Sequence, residues 1–221
     1  MIKENISNIA SSIPSHVQLV AVSKTKSVKQ ITEAYEAGQR DFGENYVQEL
    51  IEKQVKLSTD IRWHFIGHLQ SNKAKYIAPF VHLIHGVDSF KLLKEINKQA
   101  EKNNRVIDCL LQMHIAKEET KFGLDEAEIA EIINSAELNQ LTHIRIRGLM
   151  GMASNTADTS LIENEFGQIQ AVFNSLKAKS AGNLQIDILS TGMSSDYHYA
   201  LKHGSTMVRI GSLIFGEREK I

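Results

Sequence analysis

The sequence predicts a (β/α)8 TIM barrel of the α/β class, and three observations carry that expectation. Short apolar, β-branched-rich runs alternate with segments of helical periodicity eight times; no Gly/Ser/Pro-rich linker breaks the alternation; and 221 residues is a length that one such barrel fills. A single domain over residues 1–221 is expected, with a doubly wound open sheet as the alternative that the same alternation permits.

A short helix ending at Ser12 precedes the first strand, Gln18 to Ser23. Val28 to Ala37 reads as a helix, with apolar positions at Ile31, Ala34 and Tyr35 and a stop at Gly38. Asp41-Phe42-Gly43 is a very short second strand, followed by a helix through Val47, Leu50 and Ile51. Trp63 to Gly67 forms the third strand and Leu69 to Ile77 a short helix; His82 to Val87 forms the fourth, after which Ser89 caps a helix carrying Leu92, Leu93, Ile96 and Ala100. Ile107 to His114 is the fifth strand, and Asp125 begins the helix of Ile129, Ile132 and Ile133. The sixth strand, Ile144 to Met150, leads into a long helix from Leu161 to Leu176. Gln185 to Ser190 and Thr206 to Ile210 complete the barrel, with a helix from Asp196 to His203 between them.

Lys+Arg 25 against Asp+Glu 26 leaves a net charge of -1, so no global field draws the chain to nucleic acid or to an anionic membrane. The single cysteine, Cys109, lies inside an apolar run, reads as a core residue and has no internal disulfide partner. No apolar stretch approaches the ~18 residues of a membrane span, and Met1-Ile2-Lys3-Glu4-Asn5 lacks a signal-peptide core, so a cytoplasmic protein is expected.

Chemistry in such a barrel belongs at the C-terminal ends of the strands, with phosphate favoured after strands seven and eight. The first strand, Val20-Ala21-Val22, stops at Ser23-Lys24-Thr25-Lys26. A lysine there is either a solvated cap or, if desolvated beside another cation, a nucleophile able to condense with an aldehyde. Strand seven runs into Ser190-Thr191-Gly192-Met193-Ser194-Ser195 and strand eight into Arg209-Ile210-Gly211-Ser212, two Gly/Ser turns that read as one anion clamp or as two ordinary helix caps. An anion clamp next to a reactive lysine points to pyridoxal 5′-phosphate, with Arg209 as partner of the pyridine nitrogen. His64 and His68 flank a strand-like segment and share no helix face, so no metal site is expected. His82 and His85 read as polar residues at a strand rim, and Lys91, Lys94, Lys98 and Lys102 as a solvated helix face.

Six motifs in order carry a family resemblance across the whole chain. They are Ala21-Val22-Ser23-Lys24-Thr25-Lys26; Phe42-Gly43-Glu44-Asn45-Tyr46-Val47-Gln48-Glu49; Trp63-His64-Phe65-Ile66-Gly67 with Leu69-Gln70-Ser71-Asn72-Lys73; Arg147-Gly148-Leu149-Met150; Gly192-Met193-Ser194 with Asp196; and Gly204 through Gly211. Together they resemble the pyridoxal phosphate homeostasis protein family. The resemblance implies an alanine racemase N-terminal-domain-like barrel of fold type III. It implies that Lys24 holds the cofactor as an aldimine, that Arg209 faces the ring nitrogen, and that Ser194, Gly211 and Ser212 receive the phosphate. It further implies Asn45, His64 and Met150 as cofactor-pocket residues. Lys26 and Lys121 are candidate secondary lysines, and His68 departs from the family, which often carries another residue there.

The expected role is a cofactor carrier: binding pyridoxal phosphate, shielding its aldehyde and delivering it to apoenzymes, without catalysis. The alternative is an amino-acid racemase or other fold-type III enzyme. Racemisation needs a base on each face of the substrate carbanion, and the related racemases supply one from a second domain that follows the barrel. This chain ends shortly after its eighth strand, which favours the carrier, with Tyr46 or Tyr197 left as candidate second bases. A barrel binding some other phosphorylated metabolite is the third possibility, and a monomer is the expected state.

Overall fold

The computed structural model describes residues 1–118 and 122–217. In chain order the elements are α1 (Ile2–Ser12), β1 (Gln18–Val22), α2 (Val28–Glu36), β2 (Asp41–Glu44), α3 (Val47–Gln54), β3 (Arg62–Phe65), α4 (Ala74–Ile77), β4 (Leu83–Val87) and α5 (Phe90–Lys102). They continue with β5 (Ile107–Gln112), α6 (Glu126–Asn134), β6 (Ile144–Met150), α7 (Thr159–Lys177), β7 (Leu184–Ser190), α8 (Tyr197–Lys202), β8 (Met207–Ile210) and α9 (Ser212–Phe215). The strands pair in parallel from β1 to β8, and β1 closes on β8 with Val20 opposite Arg209 and Ala21 opposite Ile210. That closure excludes the open doubly wound alternative.

Local chemistry sets the helix starts. Ser27 and Asp125 each accept a hydrogen bond from the backbone three residues on, while Gln30 and Glu128 reach back to the cap N–H, so both helices begin with a capping box. Ser89 caps α5 as its position in the sequence suggests. The expected helix over Leu69 to Ile77 is shorter: a 3-10 turn at Ser71–Lys73 tightens into α4, which stops before Pro79. Ala78 is still helical at φ -52°, ψ -33°, but Pro79 has no N–H to donate back into the helix, which ends it there.

Side-chain alternation along the strands divides the core in two. Val208 and Ile210 of β8 join the large apolar cluster between strands and helices, while Met207 belongs to a second cluster with Val20, Leu83, Leu110 and Met150 inside the barrel. Arg209 shares the parity of Met207 and therefore points inward. Cys109 is fully buried in the outer cluster, and burial pushes its thiol far up, so it is a packing residue. Among the described residues no helix is long and apolar enough to cross a membrane.

Candidate functional site

A cavity of about 480 Å³ opens at the C-terminal end of the barrel, between the segments that follow β1, β2, β7 and β8. Its lining brings together Lys24, Lys26, Asn45, Ser194, Arg209, Gly211 and Ser212, with Val22, Ile66 and Met152 supplying apolar walls. Lys24 and Ser212, 188 positions apart, thus converge because the barrel closes β1 onto β8. A larger hollow of about 620 Å³ lies alongside and shares Asn45, but its lining, from Tyr46 to Tyr76, offers one lysine, Lys73, and no Gly/Ser turn.

Lys24 is half-buried and sits in a segment fastened on both sides by one charged cluster. Ahead of it, the Ser23 N–H donates to the Gly43 carbonyl at 2.9 Å and the Ser23 hydroxyl to Glu44 Oε1 at 2.6 Å. Behind it, the Thr25 N–H donates to Glu49 Oε1 at 2.6 Å, and Thr25 adopts a left-handed φ of 64°. Lys53 of α3 joins the two halves, with Nζ on the Ser23 carbonyl at 2.7 Å, Glu44 Oε1 at 2.7 Å and Glu49 Oε1 at 2.6 Å. Burial raises the Glu44 carboxyl above its ordinary range, and the charge and hydrogen bond of Lys53 oppose that rise. The uncommon Thr25 backbone is therefore held by three ionic side chains and not by local preference.

Lys26 lines the same cavity, but its ammonium donates to the carbonyls of Phe215, Gly216 and Glu217 at 3.4, 3.3 and 3.3 Å. It closes the C-terminal end of α9, where unsatisfied carbonyls favour a cation.

Arg209 reaches the cavity from inside the barrel while almost wholly buried. Its Nη1 donates to Ser190 O and Ser190 Oγ, both at 2.7 Å, and its Nη2 to Gly151 O at 3.0 Å. Burial lowers its pKa to about 10, against the favourable charge of Asp196, so the guanidinium stays protonated at neutral pH. Beyond it, the two Gly/Ser turns are joined directly: Gly211 N–H donates to Ser194 Oγ at 3.3 Å. Gly192, at φ 91°, lets the first turn lie against Tyr197 Cα, where an added Cβ would sit at 2.9 Å.

Asn45 is set by a close backbone approach. A Cβ on Gly67 would stand 2.3 Å from the Asn45 carbonyl oxygen, so the segment after β3 can pass behind Asn45 only as glycine. Gly67→Ala is expected to force the two segments apart and cost about 1–3 kcal/mol in urea unfolding, a magnitude typical of overpacking. An unchanged midpoint would show that the segments move apart freely.

Two residues expected in the pocket lie elsewhere. Met150 is fully buried in the interior cluster, and Met152 is the methionine that lines the cavity. His64 is fully buried below the pocket and bonds Asp41 and His85, not the cavity. His85, expected at a strand rim, is fully buried too, because its parity on β4 turns it inward. Asp41, His64 and His82 place one ligand-type atom each within 4.8 Å, but Arg62 already engages both Asp41 oxygens, at 2.7 and 2.5 Å, and supplies the positive charge there. Lys121 falls outside the described residues.

Known proteins share this fold and much of this sequence. Residues 1–219 match the family described as alanine racemase, N-terminal domain. The pyridoxal phosphate homeostasis protein of Vibrio alginolyticus is 40% identical over 234 residues, covering 99% of this chain and 98% of the relative. That of Haemophilus influenzae is 42% identical over 205 residues, covering 91% and 85%. The structure of PipY from Synechococcus elongatus with PLP bound superposes with a TM-score of 0.88 at 38% identity, over 98% of this chain and 100% of PipY. An alanine racemase of Clostridium difficile shares the fold, with a TM-score of 0.77 at 18% identity over 99% of this chain and 57% of its own.

Proposed function

Because this chain belongs to the family of the pyridoxal phosphate homeostasis proteins, built on the alanine racemase N-terminal domain, we propose that it binds pyridoxal 5′-phosphate reversibly and hands it on, without transforming an amino acid. The observation that carries this proposal is the convergence of a lysine amine, a buried guanidinium and a paired Gly/Ser turn in one cavity of about 480 Å³. The site also holds an unused acceptor: Asn45 Oδ1 is buried without a hydrogen-bond partner at the cavity edge, a cost that a ligand hydroxyl would remove. When bound, the cofactor supplies an aldehyde that condenses with amines and a ring that withdraws electrons.

Lys24 is the amine that would hold the aldehyde carbon, its backbone fixed by the Ser23 and Thr25 bonds to the Glu44–Lys53–Glu49 cluster. Ser194, Gly211 and Ser212 would take the phosphate through hydroxyls and backbone N–H groups. Arg209 has only donors, and at a pKa of about 10 it keeps its proton near neutrality. It would donate to the ring nitrogen and leave it without a proton of its own, which weakens the ring as an electron sink and suits storage over carbanion chemistry.

The titratable side chains among the described residues of the lining are the three cations Lys24, Lys26 and Arg209. The candidate second bases stand apart. Tyr46 lines the neighbouring hollow, and Tyr197 is buried with its hydroxyl 3.2 Å from Ser12 Oγ. We further propose a cytoplasmic monomer whose recipients are apoenzymes.

The test is incubation of the cofactor-loaded protein with each L-amino acid in deuterium oxide. Cα exchange no faster than with free cofactor is expected, together with transfer of cofactor to an added apoenzyme. Exchange at enzymatic turnover rates would establish a catalyst instead.

A further inference from the structure

A continuous line of buried polar side chains crosses the barrel interior. It begins at Asp41, the first residue of β2, whose carboxylate takes Arg62 on both oxygens and His64 Nε2 at 3.0 Å. His64 Nδ1 lies 3.0 Å from His85 Nε2, His85 Nδ1 lies 3.1 Å from Ser190 Oγ, and Ser190 Oγ lies 2.7 Å from Arg209 Nη1. His64, His85 and Ser190 are fully buried, and the line runs from the N-terminal mouth to the last residue of β7. It sits against Val20, Leu83, Leu110, Met150 and Met207, an interior that packing alone would fill with apolar side chains.

The chemistry of each partner fixes the direction of donation. Hydrogen bonds from His64 and Arg62, with the Arg62 charge, outweigh burial and hold the Asp41 carboxyl well below the usual range, so Asp41 only accepts. His64 Nε2 therefore carries a hydrogen, and in the neutral ring Nδ1 accepts from His85 Nε2. His85 is itself neutral, since full burial pushes its pKa well below the ordinary value. Its Nδ1 accepts the Ser190 hydroxyl hydrogen, which leaves the Ser190 oxygen free to accept from Arg209. Every imidazole nitrogen is paired, and all donation runs from the guanidinium to the carboxylate, an arrangement in which successive bonds polarise one another.

We propose that Ser190, His85 and His64, anchored by Asp41, are positioning residues that hold the Arg209 guanidinium in the single orientation in which it meets a cofactor ring in the cavity. Both Nη1 hydrogens are committed to Ser190 and one Nη2 hydrogen to Gly151, so the remaining N–H groups have a fixed direction. The proposal rests on pyridoxal phosphate occupying the pocket, and its test separates the two.

Wild type, Ser190→Ala, His85→Leu and His85→Asn are each loaded with pyridoxal 5′-phosphate and compared by absorbance, equilibrium dialysis and urea unfolding. Ser190→Ala removes one oxygen and keeps the packing. It and His85→Leu are expected to shift the position of the bound-cofactor band and to weaken retention about tenfold, the loss of one charge-assisted hydrogen bond. His85→Asn, which keeps an acceptor for the Ser190 hydroxyl, is expected to restore the wild-type band. Wild-type band and affinity in Ser190→Ala would overturn the positioning role, even if His85→Leu were unstable, because the fault in His85→Leu would then be packing. No bound band in the wild type would overturn the cofactor site itself.

Discussion

Lys53→Met is expected to cost about 3–5 kcal/mol of folding stability at neutral pH, the loss typical of breaking a buried ion pair from one side. Methionine preserves most of the side-chain length but leaves Glu44, fully buried, without its cation, and leaves Glu49 with the Thr25 N–H but without its ammonium partner. The pH dependence follows from the Glu44 carboxyl, whose pKa is raised by burial above its ordinary value of 4.5. A carboxyl with a raised folded pKa binds its proton more tightly in the native state, so stability falls as pH rises from the unfolded value through the folded one. Removing Lys53 deletes the largest opposing influence and lifts the folded value further. The penalty is therefore expected to shrink as the pH is lowered toward 4.5. Urea unfolding of wild type and variant at pH 7 and pH 5 measures it, and a penalty equal at the two pH values would show that Glu44 is not the group left uncompensated.

Lys24→Ala is expected to weaken retention of pyridoxal 5′-phosphate by roughly a hundredfold, about 2.8 kcal/mol, by equilibrium dialysis, while stability changes little. The side chain is half-buried, and the backbone of its segment is fixed by bonds of Ser23, Thr25 and Lys53. Weak binding through Arg209 and the Gly/Ser turns should persist. Lys26→Ala is the control, since Lys26 is committed to the carbonyls after Phe215, and it should leave retention near wild type.

The strands were legible because a barrel buries them on both faces, which writes them as short apolar runs, and the caps at Ser89 and Asp125 were legible because they act on their own backbone. That these residues line one cavity could be anticipated from position: Lys24, Ser194, Gly211 and Ser212 each follow a strand, and Arg209 lies one residue from the end of β8. Inward or outward direction was harder, because one residue of register reverses it. That is why His85 resembled a rim residue, whereas Met150 and Met152 share one face and differ only in depth along the barrel. Lys53 was wholly silent. A lysine on an amphipathic helix looks solvated, and only the folded barrel brings α3 onto the Lys24 turn.

The most direct measurement is borohydride reduction of the wild-type chain loaded with pyridoxal 5′-phosphate, followed by mass mapping of the peptides. The expected result is one stable modification on the peptide side chain of Lys24. Modification at Lys26, spread over surface lysines, or found nowhere would contradict a site built around Lys24.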